Sequence, residues 1–224
     1  METDLRLVSS RRQFLTGTAK VAGGTALAFA IANSPLFGTQ IAKASSSATV
    51  SGDIAILNYA LTLERLEKAF YVQGQNRFTM GDFTDASFLR GVGGRIKKTV
   101  YDYFNIIRDH EVTHVNTLVS VITGLGGTPV GACSYNFGYT DVNGYVAVAQ
   151  ALENTGVMAY DGAINLIGSP DLQKAGATIA TVEARHASYL NLLNGTVPFP
   201  QAFDTPKTMT EILAIAGQFI VSCP

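Results

Sequence analysis

Glu111-Val112-Thr113-His114 recurs further along the chain as Glu183-Ala184-Arg185-His186. The chain holds three histidines, and two of them stand three positions after a glutamate. A spacing of three places both side chains over one face of a helix, so a carboxylate and an imidazole can meet the same ion. Helical bundles build carboxylate-bridged metal sites from this pairing, with two other helices each adding one more glutamate.

Working outward, the third helical segment holds a single glutamate, Glu153, and the first offers two, Glu64 and Glu67. By helical angle Glu67 lies nearer the centre of the apolar face. An internal repeat argues the other way. Ala60-Leu61-Thr62-Leu63-Glu64 and Ala149-Gln150-Ala151-Leu152-Glu153 both place Ala four before Glu and Leu just before it, and Tyr71 and Tyr160 each follow seven residues after. In that register Glu67 falls opposite Gly156. Glu64 is therefore the expected ligand, and Glu67 stays in the candidate set as a carboxylate behind it. Leu118 and Leu190 each follow a histidine by four, so the chain reads as two copies of one plan and predicts a pseudo-twofold bundle.

The segments around these residues are helical in pattern. Asp53 to about Tyr71 is amphipathic, with Asn58, Thr62 and Arg65 on one face and Ile56, Ala60, Leu63 and Phe70 on the other. Gly74 to Asp85 reads as a turn-rich break. A second helix is expected from Arg95 to about Thr123, ended by Gly124, Gly126, Gly127 and Pro129. Val130 to Asn143 lacks helical period and serves as a long crossover, which lets the second helix pair return alongside the first. A third helix follows from Gly144 to Ile167. The fourth runs from Asp171, or is capped by it, to Asn194, with Gly195 closing it. A short helix over Thr208 to Phe219 completes an all-α reading, with no strand pattern in competition.

Read as solvated helix faces, these acids would not sit beside Leu63, Val112, Leu152 and Val182. Burying four carboxylates without cations would be very costly. Glu64, Glu111, His114, Glu153, Glu183 and His186, with Glu67, are hard and borderline donors that suit two iron or two manganese ions, and no thiolate joins them. Tyr71 and Tyr160, two turns beyond their glutamates, are the candidate catalytic side chains, placed to hydrogen-bond a ligand carboxylate or donate an electron; plain core packing is the alternative. His110 falls on another face as an ordinary, partly exposed histidine. Asp109, Asp161 and Arg185 are candidates for orienting the imidazoles or neutralising the carboxylates.

A formal charge of −1 and the absence of tryptophan leave no electrostatic footprint for nucleic acid. The 224 residues with 47% hydrophobic content suffice for one core. Ser10-Arg11-Arg12-Gln13-Phe14-Leu15 resembles the twin-arginine export signal, and Val21 to Ala32 has the length of a signal core rather than a membrane span. Ala42-Lys43-Ala44 offers a cleavage site. Residues 1–44 are thus expected as a signal peptide and 45–224 as the domain, in the periplasm or outside the cell, with no stable membrane span after cleavage. Cys133 and Cys223 are the two cysteines; a disulfide from tail to central loop and two unpaired small apolar side chains both fit their spacing.

Ile56-Leu57-Asn58-Tyr59-Ala60-Leu61-Thr62-Leu63-Glu64-Arg65-Leu66-Glu67-Lys68-Ala69-Phe70-Tyr71, Val182-Glu183-Ala184-Arg185-His186 and Phe219-Ile220-Val221-Ser222-Cys223-Pro224 resemble the ferritin-like domain proteins that include desiccation-related proteins. The resemblance runs from Asp53 to Pro224. It implies a ferritin-like four-helix bundle and di-iron or di-manganese binding, and much less about activity. No Cys-x-x-Cys of the rubrerythrin kind occurs, and the cage-forming surfaces of storage ferritins cannot be recognised. Manganese catalases resemble it in using glutamates and histidines in a bundle. The expected function is redox chemistry on peroxide or dioxygen in stress protection, with metal ions and a small oxidant as partners. Metal binding without turnover and a structural bundle with an empty site are the alternatives, and homo-oligomerisation is left open.

Overall fold

The computed structural model describes residues 47–224. The expected export signal, with its Ser10–Leu15 motif and its Ala42-Lys43-Ala44 cleavage site, lies outside the described residues. Four long helices form the body: α1 (Ser47–Arg77), α3 (Gly94–Gly124), α4 (Val142–Ala163) and α5 (Pro170–Leu193). A short α2 (Met80–Thr84) follows α1, and α6 (Met209–Ala216) follows α5. Helix α1 packs along α3 and α4 along α5; α4 also meets α1, and α6 lies on α4. This is the all-α four-helix bundle expected from the sequence, with a long crossover over residues 125–141 and a short C-terminal helix.

Local chemistry explains most helix ends. Asp141 caps α4 by accepting from the Gly144 amide at 2.8 Å. The α3 C-terminus closes as the Gly127 amide reaches the Ile122 carbonyl at 2.9 Å, with Gly126 at φ +81°, a left-handed conformation that glycine adopts freely. Thr208 and Glu211 form a capping box at the start of α6. Helix α5 begins one residue before Asp171, with Pro170 in its first turn and Ser169 as the cap; proline at that position gives up no helical hydrogen bond.

Two expectations need correction. Helix α1 runs through Gly74 to Arg77 instead of breaking there, and Thr79 and Asp82 cap α2 within the expected turn region. The reason is tertiary: a Cβ at position 74 would collide with the Tyr145 ring, so this glycine serves close packing rather than a turn. Arg77 then ties the helix end to the Tyr139 and Thr140 carbonyls at 3.0 and 2.6 Å. The second correction is a two-stranded antiparallel ladder, β1 (Ser134–Tyr135) with β2 (Ile220–Ser222). Strands of two and three residues are too short to leave a periodic signal. Beside the ladder Cys133 and Cys223 form a disulfide, which decides between the two readings of the cysteines.

Two apolar clusters divide the bundle along its axis. One is rich in aromatics, including Phe70, Tyr71, Phe83, Phe104 and Tyr145. The other is aliphatic, including Leu57, Leu61, Leu118 and Ile122. On α3 Glu111 and His114 fall between them, after Ile107 of the first and before Val115 of the second.

Candidate metal centre

The four bundle helices each turn a charged face inward at the same level. Glu64, Glu111, Glu153 and Glu183 are 0% exposed, Glu67 is 4%, and His114 and His186 are 8% and 6%. A carboxylate in such a place must find a cation or a proton. Their ligand atoms form two groups, each within 4.8 Å: Glu64, Glu111, His114 and Glu183 in one, and Glu111, Glu153, Glu183 and His186 in the other. Glu111 and Glu183 belong to both groups. Glu64 with His114, and Glu153 with His186, are the separate ends.

Each imidazole nitrogen that faces the cluster meets more carboxylate oxygens than it can satisfy. His114 Nδ1 lies 3.2 Å from Glu64 Oε2, 3.2 Å from Glu111 Oε2 and 3.1 Å from Glu183 Oε1. His186 Nδ1 lies 3.3 Å from Glu111 Oε1 and 3.2 Å from Glu153 Oε2. One ring nitrogen carries at most one proton, so it cannot satisfy three converging carboxylates. Glu64 Oε2, Glu111 Oε1 and both Glu183 oxygens have no hydrogen-bond partner although buried. A cation among these oxygens and nitrogens resolves both defects, so the residues fit a metal ion in each group.

Protonation follows the same crowding. Burial first, then the neighbouring carboxylates, push Glu67 and Glu183 well above the usual range. Burial lifts Glu64 to about 7 against the pull of His114. Burial also opposes ionisation of Glu111, yet His114 and His186 outweigh it and hold that carboxyl low. For His186 burial favours the neutral ring, but Glu153 and Glu111 raise it to about 11. Without metal the cluster therefore retains protons that a bound cation would displace.

The two tyrosines cross the bundle in mirrored fashion. Tyr71 of α1 donates to Glu153 Oε1 of α4 at 2.6 Å, and Tyr160 of α4 donates to Glu64 Oε1 of α1 at 2.5 Å. Burial, followed by the adjacent carboxylate, keeps both phenols protonated far into alkali. Each hydroxyl fixes one oxygen of its glutamate and leaves the other free for the cluster.

Other positions fall differently from the sequence reading. His110 is partly exposed, but its Nδ1 lies 2.9 Å from His186 Nε2 and the two rings stack with centroids 5.2 Å apart. It, rather than Asp109, Asp161 or Arg185, meets a candidate ligand imidazole. Asp109 instead pairs with Arg108 at 2.9 Å, and Arg185 is exposed. A lone histidine beside a glutamate gives no signal of a partner on another helix. Glu67 lies outside both ligand groups, and its carboxylate sits over Gly156, where a Cβ would come within 3.2 Å of Glu67 Oε1 and 3.4 Å of Glu183 Oε2. The repeat register already pairs positions 67 and 156; what it does not reveal is that the missing side chain makes room for the extra carboxylate.

A family model described as the ferritin-like domain matches residues 52–196. The chain is 25% identical over 175 residues to Protein rds1 of Schizosaccharomyces pombe, a match that covers 77% of this chain and 40% of that protein. The chain thus spans well under two thirds of that relative's length.

Proposed function

The chain belongs to the ferritin-like domain family, and we propose that it is an exported dimetal carboxylate protein acting on peroxide or dioxygen in stress protection. The observation that carries this reading is the pair of ligand groups sharing Glu111 and Glu183. Shared carboxylates are how helical bundles hold two ions side by side. The donor set suits iron or manganese, since the only cysteines are tied to each other and only carboxylates and imidazoles remain. When bound, such a pair would supply the changes of oxidation state by which peroxide or dioxygen is consumed.

The residues divide the remaining work. Glu111 and Glu183 span the two positions, Glu64 with His114 serves one, and Glu153 with His186 serves the other. Glu67 is an added carboxylate beside Glu183, available as a further ligand or a proton store. Tyr71 and Tyr160 orient Glu153 and Glu64 and are the candidate electron or proton donors. His110 orients His186: with Nδ1 of His186 turned to the cluster, its Nε2 must carry the proton, and His110 Nδ1 accepts it. The aromatic cluster around Tyr71, Phe104 and Tyr145 keeps bulk water from that side of the centre.

Export is supported by the twin-arginine motif at Arg11-Arg12 and by the Cys133–Cys223 disulfide, which persists in oxidising compartments. Residues 1–44 are then the signal peptide and 45–224 the exported domain.

The test is metal content by mass spectrometry on natively exported protein beside a Glu111→Ala/Glu183→Ala variant. About two iron or manganese ions per chain, lost in the variant, are expected; metal-free native protein would sink the assignment. Loaded protein is then assayed for peroxide and dioxygen consumption. Uptake without consumption would reassign it to metal binding alone.

A further inference from the structure

A cavity of about 460 Å³ opens between all four bundle helices at one end of the cluster. Ile56 and Ala60 from α1, Thr117 from α3, Ala163 from α4 and Gly176 from α5 are among its walls, and His114 and Tyr160 line it as well. The lining is mostly apolar, and exposed Thr178 marks its rim. Hydrogen peroxide and dioxygen have two heavy atoms each and have no use for a chamber of this size. Pockets of about 300–1,000 Å³ with apolar walls and a few placed polar groups are the usual sites of organic ligands.

The hollow is not a consequence of the fold, because the pseudo-twofold mate of this region is filled. Glu64 and Tyr71 correspond to Glu153 and Tyr160, and Glu111 and His114 to Glu183 and His186. Carried along the helices, the same two offsets match Ile56 to Tyr145, Gly176 to Phe104 and Thr117 to Tyr189. At the filled end Tyr145 and Phe104 are both 0% exposed and their rings lie 5.5 Å apart. Tyr189 packs edge-on against Tyr103 at 5.6 Å. At the hollow end those three aromatic rings are replaced by an isoleucine, a glycine and a threonine. A Cβ at Gly176 would meet nothing closer than Ile164 at 3.9 Å, so the space is open to a larger side chain.

The polar edge of the cavity has a definite sense. If Nδ1 of His114 faces a metal ion, as the proposed function has it, the ring's proton must sit on Nε2, which has no carboxylate partner. His110 also lines the cavity; with its Nδ1 accepting from His186, its Nε2 likewise carries a proton. Both imidazoles that line the cavity can then only donate. From the aromatic-to-small replacements and this donor edge, we infer that the cavity binds a medium-length alkyl compound whose oxygen-bearing head accepts hydrogen bonds beside His114, next to one metal position. The tail lies along Ile56, Ala60 and Gly176, and the volume suits a ligand of roughly a dozen heavy atoms. The head contact rests on the dimetal reading; the tail contact does not.

The experiment is calorimetric titration of the metal-loaded protein with decanoate and with decyltrimethylammonium, repeated on Gly176→Phe and Ile56→Tyr. Each substitution restores an aromatic of the filled end from a different helix, and melting temperature and metal content report whether the variants fold. Decanoate is expected to bind saturably and to be preferred to the cationic probe, with affinity reduced about tenfold or more in either folded variant. No saturable binding, or affinity unchanged from the native protein in both folded variants, overturns the inference. In Glu111→Ala/Glu183→Ala, decanoate should still bind but lose its preference over decyltrimethylammonium. Native protein that binds decanoate but no metal would refute the metal assignment and the head contact together, leaving the tail site; protein that holds metal but not decanoate refutes the cavity alone.

Discussion

Replacing each crossing tyrosine by phenylalanine separates two sites that sequence symmetry makes equivalent. Tyr71 and Tyr160 donate to buried glutamates at 2.6 and 2.5 Å. A hydrogen bond to a charged group contributes about 1.5–3 kcal/mol when nothing replaces it. Around Tyr71 nothing can: the ring is 0% exposed and packs against Phe70 and Phe104 at 5.1 and 6.1 Å. Its hydroxyl would leave a void and an unpaired oxygen on Glu153. Tyr160 lines the 460 Å³ cavity, where a water molecule can take the hydroxyl's place and bond to Glu64. Tyr71→Phe should therefore cost about 2–3 kcal/mol and Tyr160→Phe about 1 kcal/mol or less. For a chain of this size that is a melting-temperature fall of roughly 5–10 °C against roughly 2–4 °C. Thermal unfolding followed by circular dichroism, on matched metal-loaded samples, measures both. Equal losses, or a larger loss for Tyr160→Phe, would refute the reasoning, because they would mean that the cavity gives Glu64 no access to water.

His110→Ala removes the hydrogen-bond partner of His186 Nε2 and should weaken metal retention by about 10–100-fold, read by competition with a chelator; unchanged retention would show that His110 only packs. In metal-free protein Glu64 is raised from 4.5 to about 7, chiefly by burial, so its contribution to stability is full below about 4.5 and is lost as pH rises through about 7. Glu67 and Glu183 shift the same way, and His186, raised from 6.5 to about 11, extends the loss to higher pH. The melting temperature of metal-free protein should thus fall from pH 5 to pH 8 and flatten once metal is added; a rise over that interval would contradict the buried cluster. Cys133 and Cys223 close a loop 90 residues apart in sequence, and the Cys133→Ser/Cys223→Ser variant should lose about 2–4 kcal/mol in urea denaturation. A midpoint within error of the native protein would mean that the tail is held by the β1–β2 ladder and α6 alone.

Much of this molecule is legible one helix at a time. The apolar periodicity, the glycines and prolines after each run, and the capping residues mark four long helices, because each signal acts within a turn or two of its own residue. The two Glu-x-x-His pairs and the offset repeat of Leu-Glu with its distant tyrosine point to a two-ion centre for the same reason: i, i+3 spacing decides what shares a face before any partner helix is present. What the sequence alone leaves undecided involves groups that meet only when helices pack. Gly74 looks like a helix end until Tyr145 arrives against it. His110 looks ordinary until α5 brings His186 to its side. Glu64 and Glu67 are both plausible by angle, and the approach of α3 brings Glu64, with Glu111 and Glu183, onto His114, while Gly156 of α4 receives Glu67. The sulfurs of Cys133 and Cys223 meet because the crossover and the tail pair as strands. Local sequence determines which side chains share a helical face; only the packing of four faces around one axis decides which charges converge, which tyrosine is sealed and which end of the bundle stays hollow.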